Sequence, residues 1–376
     1  MALSATDHQR LLRAVDLAQG SLGLSDPNPR VGCVIHGVDG SLAGEGFTQQ
    51  AGGAHAEVMA MRDAAQAGRS VAGGTAWVSL EPCAHHGRTP PCADALIAAG
   101  IARVVVATND PFPQVAGRGI ERLRAAGVEV DLAEPGATTR AAQQLNIGFF
   151  SRVLRQRPWV RMKIAASVDG RTALPNGSSQ WITSEAARID GHAWRRRAGA
   201  VLTGIGTVLA DDPQLDVRLV PTQRQPLRVV VDSGFNTPTS ARLLHGGGRV
   251  LIAGARELPD RMEALRKAGA EVQRLPDAHG QVDLPALMER LTVDGVNELH
   301  IEAGARLNGA LLQTGWVDEV LLYLAPKLLG PGRDIARMPA LAALSQAQPW
   351  HFDQVRTVGA DLCIQMRLDG ADAFLG

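Results

Sequence analysis

The sequence has no excess of either charge. Its 376 residues include 38 lysines and arginines and 38 aspartates and glutamates, so the formal net charge at pH 7 is zero. Proteins that bind nucleic acid usually carry a basic excess that neutralises phosphates. The balance therefore argues against a nucleic-acid partner, although a local basic patch remains open.

Cysteines and long apolar runs are also scarce. Four cysteines are too few for a secreted scaffold of this size held together by disulfides. No run approaches the roughly 18 apolar residues of a membrane helix, and residues 1–13 lack the continuous apolar core of a signal peptide. We therefore expect a cytoplasmic protein without a membrane partner, whose reduced thiols can serve as metal ligands.

The length and the order of apolar segments predict two α/β domains. A chain of 376 residues is long for one compact domain. Helices alternate with short apolar strands in the first 150 residues, which indicates a sheet with both faces covered. The predicted helices are 7–20, 55–67, 92–99 and 118–126.

A boundary between the domains is expected in the polar stretch 151–158, which precedes a new series of strands and helices. We predict one domain at 1–150 and a second at 158–376. Near the end of the second domain, strands at 319–324 and 361–368 are expected to pair antiparallel.

The strongest local signal is His55-Ala56-Glu57, followed by Pro82-Cys83 and then Cys92. A catalytic zinc ion takes three protein ligands and leaves its fourth position to water. One imidazole and two thiolates supply those ligands, and Glu57 can move protons between the water and a departing amine. The pattern predicts zinc held by His55, Cys83 and Cys92, with Glu57 as the catalytic acid and base.

Other interpretations of these residues stay open. His85 or His86 could supply a fourth protein ligand, which would make the zinc site structural rather than catalytic. Cys33 and Cys363 have no partner motif, and we expect both in the core because an unpaired cysteine usually packs as a small apolar residue.

The second half lacks a complete GxGxxG sequence after a strand, so its pattern does not support a Rossmann domain. Its signals are loops rich in glycine and hydroxyl groups after predicted strands, at 163–171, 203–207 and 302–308. The last of these leads into a helix and so offers backbone amides and a helix N-terminus to a phosphate. Each loop alone is also typical of an ordinary turn.

Longer stretches resemble a known family. HAE, EPCAHHGRTPPC, TNDPFPQVAGRG and PNPRVG are similar to the N-terminal half of the bifunctional riboflavin-biosynthesis deaminase/reductase family. The resemblance implies a cytidine-deaminase-like, three-layer fold with the zinc ligands and proton shuttle named above. It also implies four substrate contacts, namely Asn28, His85, Arg88 and Asp110. Arg88 makes independent sense, because a guanidinium binds phosphate through two parallel hydrogen bonds.

The second half resembles the reductase half of the same family through KIAASVDGRTA, SSQWITS, GIGTVLADDPQLDVR and APKLLGPG. The resemblance implies a dihydrofolate-reductase-like fold that uses NADPH. The implied cofactor contacts are Ala165, Trp181, Thr207, Asp211, Gly304, Ala305, Arg306, Leu307 and Asn308. The implied substrate contacts are Ser179, Arg195, Leu215, Arg218 and Glu302.

Four positions depart from the family pattern. Thr48 stands where a histidine is frequent, Ala54 where a proline is frequent, Phe112 where an asparagine is common and Ala303 where a glycine is common. The zinc ligands are unaffected, so the departures bear on substrate and cofactor contacts.

The resemblance implies a bifunctional enzyme of riboflavin biosynthesis. Its first half would hydrolyse an amino group of a 2,5-diamino-6-ribosylamino-pyrimidinone 5'-phosphate, and its second half would reduce the ribosyl group to ribityl with NADPH. The expected partner is this small molecule, and a homo-oligomer is compatible with the sequence.

Two other functions remain open, namely a nucleoside or tRNA deaminase with a non-catalytic second domain, and a zinc-stabilised binding module. The zero net charge disfavours tRNA, and a structural zinc site has no use for Glu57.

Overall fold

The computed structural model describes residues 3–84, 91–113 and 115–376. The chain divides into two compact units, the first ending at Arg155 and the second beginning at Gln156. None of the helices in the described ranges is both long and apolar enough to span a bilayer.

The sheet of the first unit has five strands. They are β1 (Gly32–His36), β2 (Leu42–Phe47), β3 (Thr75–Val78), β4 (Arg103–Val106) and β5 (Glu129–Leu132). The order across the sheet is β2-β1-β3-β4-β5. β1 pairs antiparallel with β2 and β3, whereas β3, β4 and β5 run parallel. The carboxyl ends of these three parallel strands therefore share one edge.

The helices described in the first unit are α1 (Ala5–Ala18), α2 (Ala56–Gln66), α3 (Cys92–Ala98), α4 (Arg118–Ala125), α5 (Ala137–Leu145) and α6 (Ile147–Arg155). Helix α2 lies very close to β2. A Cβ atom at Gly44 would come within 2.2 Å of the Ala60 carbonyl oxygen, and one at Gly46 within 2.5 Å of the Ala60 nitrogen. Only glycine fits at such separations, so these two positions fix α2 and with it His55, the residue that precedes it.

The sheet of the second unit has nine strands, and a separate pair forms beside it. The nine are β6 (Trp159–Ser167), β8 (Ala200–Gly204), β9 (Leu227–Val231), β10 (Val250–Gly254), β11 (Glu271–Arg274), β12 (Glu298–Ile301), β13 (Glu319–Ala325), β15 (Trp350–Val358) and β16 (Asp361–Leu368). The pair is β7 (Arg171–Ala173) and β14 (Arg333–Asp334).

The order of the large sheet is β11-β10-β9-β8-β12-β6-β13-β16-β15. All strands from β11 to β13 run parallel. β13 and β16 pair antiparallel, which confirms the predicted pairing of the two late strands. Because β8, β12 and β6 are parallel neighbours, the loops that follow them emerge side by side at one edge of the sheet.

The helices of the second unit are α7 (Glu185–Arg197), α8 (Ile205–Asp211), α9 (Arg242–His245), α10 (Pro259–Lys267), α11 (Leu284–Val293) and α12 (Ala305–Gln313). Alternate residues of β6 face opposite sides of the sheet. Val160 and Met162 belong to a large apolar core. Arg161 lies on the other face, where its guanidinium is 4.4 Å from the ring centroid of Trp194 in α7.

That second face is charged although it is buried. Arg161 contacts Glu298 at 2.8 Å and also contacts Glu319, and these three side chains are at most 2% exposed. Helix α7 therefore covers an ionic layer as well as an apolar cluster that includes Leu321 and Tyr323 of β13. The ionic layer continues along β12 toward the edge where the loops emerge.

Three features differ from the sequence-based expectations. Helix α6 continues to Arg155, so most of the polar stretch 151–158 is the end of a helix. Helix α12 begins at Ala305, inside the stretch 302–308 that was predicted as a loop leading into a helix. Strands β2 and β15 were not predicted, because glycines interrupt β2 and polar, exposed residues make up most of β15. Cys33 and Cys363 are buried, as expected.

Candidate active sites

The three predicted zinc ligands meet at one end of the first unit. His55 precedes α2, Cys92 is the first residue of α3, and Cys83 follows β3. The His55 Nδ1 atom is 3.2 Å from Cys92 Sγ and 3.6 Å from Cys83 Sγ, and all three ligand atoms lie within 4.8 Å of one another. The edges of a tetrahedral site with these ligands are about 3.5 to 3.8 Å long. The donor set and its spacing therefore fit zinc.

Hydrogen bonds favour a thiolate in this cluster. Those from Cys92 and His55 lower the pKa of Cys83 to about 4, and the backbone N–H of Cys92 donates to Cys83 Sγ over 3.3 Å. The same interaction with Cys83, together with burial, raises the pKa of Cys92. A bound cation favours loss of the second thiol proton as well.

Glu57 lies in the first turn of α2 and is 3% exposed. Burial and the nearby Cys83 raise the pKa of its carboxyl group to about 7, although His55 opposes this. A carboxyl group with such a pKa can both accept and return a proton near neutral pH. This is the property expected of the predicted proton shuttle.

A cavity of about 460 Å³ opens onto these residues, and its lining includes His55, Glu57 and Cys83. Asn28 and Asp110, two of the expected substrate contacts, also line it. Burial raises the pKa of Asp110 to about 7, while its carboxylate accepts a 2.8 Å hydrogen bond from the Phe112 N–H. His85 and Arg88, and with them His86, lie outside the described residues.

Glu81 is a residue that the sequence reasoning missed. Its carboxylate, 3% exposed, accepts hydrogen bonds from the backbone N–H groups of Gly119 at 2.9 Å, Gly117 at 3.0 Å, and Asp110 and Ile120 at 3.3 Å each. It therefore joins the segment that carries Cys83 to the loop that carries Asp110. The sequence carried one signal for this residue, an acidic side chain directly before Pro82-Cys83.

Of the departures in this unit, Thr48 and Phe112 line the cavity, whereas Ala54 is not among its lining residues. The Thr48 backbone N–H donates to the Val31 carbonyl over 3.0 Å, so this position lies beside another residue that lines the cavity. Arg152 and Phe149 of α6 complete the described wall; neither was predicted.

In the second unit, Glu302 and Arg195 form the centre of the predicted substrate site. Arg195 in α7 donates two hydrogen bonds to the Glu302 carboxylate, at 2.5 and 2.9 Å. Although burial opposes it, Arg195 holds the pKa of Glu302 well below its usual range. Glu302 directly follows β12, so the pair lies at the edge where the parallel strands end.

The loop that contains Leu215 and Arg218 is tied to the same pair. Arg195 also donates to the Asp216 carbonyl over 2.9 Å, and the Arg218 N–H donates to His192 Nδ1 over 3.1 Å. Leu215 is 2% exposed with φ +54, whereas Arg218 is exposed and contacts Asp216. His192 and Lys163 were not predicted, and the Lys163 charge acts on Glu302.

The expected pyrophosphate loop also lies at this edge. Gly304 precedes α12, and a Cβ atom there would have Thr207 Oγ1 at 3.9 Å, so the loops after β8 and β12 are close neighbours. Within the described chain no side chain caps α12 or α8, so their first backbone N–H groups are available to an anion. Both features fit a dinucleotide phosphate.

The remaining residues of this loop divide between surface and interior. Arg306 is exposed, whereas Asn308 is 2% exposed and donates to the Ile335 carbonyl over 2.9 Å. The Ala305 carbonyl accepts from Arg337, and Leu307 and Ala303 pack against the core.

The other predicted contacts are more dispersed. Ala165 lies in β6 beside Tyr323 of β13, and Asp211 ends α8. Ser179 and Trp181 precede α7; Trp181 is 61% exposed, with the Arg188 guanidinium 4.4 Å from its ring centroid. No described hydrogen bond joins these four to the Arg195–Glu302 pair.

Both halves match known proteins. The cytidine and deoxycytidylate deaminase zinc-binding region matches residues 5–108, and the RibD C-terminal domain matches residues 158–364. The riboflavin biosynthesis protein RibD of Escherichia coli is 45% identical, over 96% of this chain and 99% of its own length. That of Aquifex aeolicus is 38% identical, over 95% of this chain and 97% of its own length.

Solved structures agree. Acinetobacter baumannii RibD has a TM-score of 0.86 at 39% identity, covering 96% of this chain and 98% of its own. A Thermotoga maritima protein described as a diaminohydroxyphosphoribosylaminopyrimidine deaminase/5-amino-6-(5-phosphoribosylamino)uracil reductase has a TM-score of 0.85 at 32% identity, with the same coverage.

The chain belongs to the RibD family of bifunctional riboflavin-biosynthesis enzymes. This confirms the predicted family, the α/β fold with a deaminase-like domain before a reductase domain, and the class of enzyme. The zinc-binding family model confirms zinc as a cofactor, and the reductase domain agrees with NADPH. Because this family consists of enzymes, a zinc-stabilised binding module without catalytic activity is excluded.

Proposed function

We propose that the first domain, residues 1–150, deaminates a 2,5-diamino-6-ribosylamino-pyrimidinone 5'-phosphate, and that the second, residues 158–376, reduces the ribosyl group of the product to ribityl with NADPH. The observation that carries the proposal is the cluster of His55, Cys83 and Cys92 at a cavity that His55, Cys83 and Glu57 line, in a chain that matches RibD over both halves. The enzyme would work in the cytoplasm on a small molecule, without a nucleic-acid or membrane partner and as a monomer or homo-oligomer.

In the deamination, His55, Cys83 and Cys92 would hold zinc, which when bound supplies Lewis-acid chemistry that lowers the pKa of a coordinated water to about 7. Glu57 accepts a proton from the attacking water and returns it to the departing amine, so that a C–O bond forms, a C–N bond breaks and ammonia leaves. The raised pKa of Glu57 suits both transfers.

Substrate orientation would fall to the cavity walls. Asn28 and Asp110 offer an amide and a carboxyl group to the polar edge of the pyrimidine. Glu81 holds the loop that carries Asp110 through four backbone hydrogen bonds. His85 and Arg88 would contribute further contacts from outside the described residues.

In the reduction, bound NADPH would supply a hydride for the anomeric carbon of the sugar. A C–H bond would form there as the ring C–O bond breaks, the ring oxygen would take a proton, and NADP⁺ would remain. The backbone N–H groups of residues 304–308 would bind its pyrophosphate at the start of α12, next to Thr207. Ala165, Trp181 and Asp211 would make the remaining cofactor contacts. The sugar phosphate would be bound by Arg195, Glu302, Ser179, Leu215 and Arg218.

Two assays test the proposal. Ammonia release is measured with the diaminopyrimidinone ribosyl phosphate and with cytidine, deoxycytidylate and a tRNA as alternatives. Oxidation of NADPH is followed by absorbance with the already deaminated compound. We expect ammonia only from the first substrate and NADPH oxidation only with the deaminated compound; preferential release of ammonia from a nucleoside or tRNA would refute the assignment.

A further inference from the structure

Among the described residues that line the cavity of the first unit, acidic side chains outnumber lysine and arginine. Glu57, Glu81 and Asp110 line it, and each is less than a tenth exposed. Among the described residues of the lining, Arg152 is the only lysine or arginine. A phosphate monoester carries about −1.5 to −2 charges at pH 7, so a cation on the cavity wall would favour binding of a phosphorylated ligand.

The position of Arg152 suits an anion contact. It lies in α6, partly buried, with its guanidinium 5.7 Å from the ring centroid of Phe149, another lining residue. Its Nη2 donates to the Pro27 carbonyl over 3.2 Å, which brings the guanidinium to the wall that also carries Asn28. The buried carboxylate of Asp26 also acts on the Arg152 charge, and a guanidinium has five N–H donors in a planar fork that can serve more than one partner.

We propose that Arg152 is a substrate-binding residue of the deaminase domain and that it contacts the 5'-phosphate of the pyrimidine. The inference rests on the proposed function, because it requires a phosphorylated substrate. Arginine suits this task since its planar fork matches two phosphate oxygens at once. The contacts with Phe149 and Pro27 hold the side chain in place beforehand, which reduces the entropy lost on binding.

The test combines one protein change with one substrate change. Arg152→Met keeps an unbranched side chain against Phe149 but removes the charge. The full-length wild type and variant are compared by kcat/KM for ammonia release with the phosphorylated substrate and with the same compound lacking its phosphate. We expect the variant to lose about ten- to a hundredfold with the phosphorylated compound, mainly through KM, as for a lost hydrogen bond to a charged group. With the dephosphorylated compound it should lose less than about twofold, and its zinc content should be unchanged.

Arg122→Met is the matched control. Arg122 lies in α4, pairs with Asp94 and is absent from the cavity lining, so its replacement should leave both substrates unaffected. Arg152→Lys keeps a charge on a flexible stem and supplies the test if the methionine variant does not fold. It should show an intermediate loss with the phosphorylated compound alone.

Equal losses with both compounds would overturn the inference, because they would show that Arg152 supports the fold or the zinc site instead of the phosphate. No loss with either compound would overturn it too. If the wild type releases no ammonia from either compound, the proposed function fails and the inference fails with it. A failure of the inference alone would leave ammonia release by the wild type intact.

Discussion

Replacing Gly304 by aspartate should leave the second unit folded but weaken its binding of the nucleotide. Gly304 has φ −81 and ψ 168, a conformation open to any residue, and a Cβ atom there would meet only Thr207 Oγ1, at 3.9 Å. Aspartate is among the best residues to precede a helix. Gly304→Asp should therefore fold and should gain a few tenths of a kcal/mol of unfolding free energy.

The same carboxylate would stand where the pyrophosphate of NADPH is expected. At about 4 Å and an effective dielectric constant of about 20, two like unit charges repel by about 4 kcal/mol. Since each 1.4 kcal/mol is about tenfold in affinity, NADPH binding should weaken by several hundred- to about a thousandfold. Gly304→Asn has nearly the same shape and also caps the helix, but carries no charge, so it should weaken binding by about tenfold at most.

Both variants are titrated with NADPH by fluorescence at low and high salt, with thermal unfolding and ammonia release measured on the same preparations. The loss in the aspartate variant should shrink at high salt, because ions screen exposed charges. Ammonia release should stay normal, because Glu57 and all three proposed zinc ligands lie in the first unit. Equal NADPH affinity in the aspartate and asparagine variants would refute a pyrophosphate at the start of α12.

The remaining predictions concern the zinc site and one buried histidine. Cys83→Ser or Cys92→Ser should lose zinc together with deamination, since each removes a ligand; full zinc by elemental analysis in a variant with both changes would contradict the ligand set. Glu57→Gln keeps the shape but cannot move the proton, so zinc should stay and ammonia release should fall at least about a hundredfold, with NADPH oxidation of the deaminated substrate as the control. Burial, with Arg195 and Arg218, lowers the pKa of His192 to about 4, below the ordinary value of about 6.5, so its neutral form stabilises the fold above pH 6.5. That contribution, up to about 3 kcal/mol, should be lost as the pH falls from about 6.5 to about 4. Denaturant unfolding across this range should therefore show a steeper loss of unfolding free energy in the wild type than in His192→Asn.

Local patterns in the sequence were enough to predict many of the strands and helices and a set of metal-binding residues. The apolar runs that became β1, β3 and β4 are short and bounded by turn residues, and such runs form strands wherever they are buried. His55 and Cys92 stand at the starts of helices α2 and α3. The residue types, their order along the chain and the acid two positions after His55 were enough to predict zinc chemistry, because a metal restricts its ligands to few residue types.

Only the tertiary structure decided which distant side chains meet. Arg195 and Glu302 are 107 positions apart and are joined because α7 packs over the face of β12 that carries charged residues. Glu81 reaches backbone groups up to 39 positions away, and Arg152 lies in the stretch 151–158, which the sequence predicted only as a domain boundary. These contacts depend on strand order and helix packing, which arise from the whole chain's burial of apolar surface; local propensity carries no information about them. The cavity walls and the charged layer under α7 therefore became visible only with the fold.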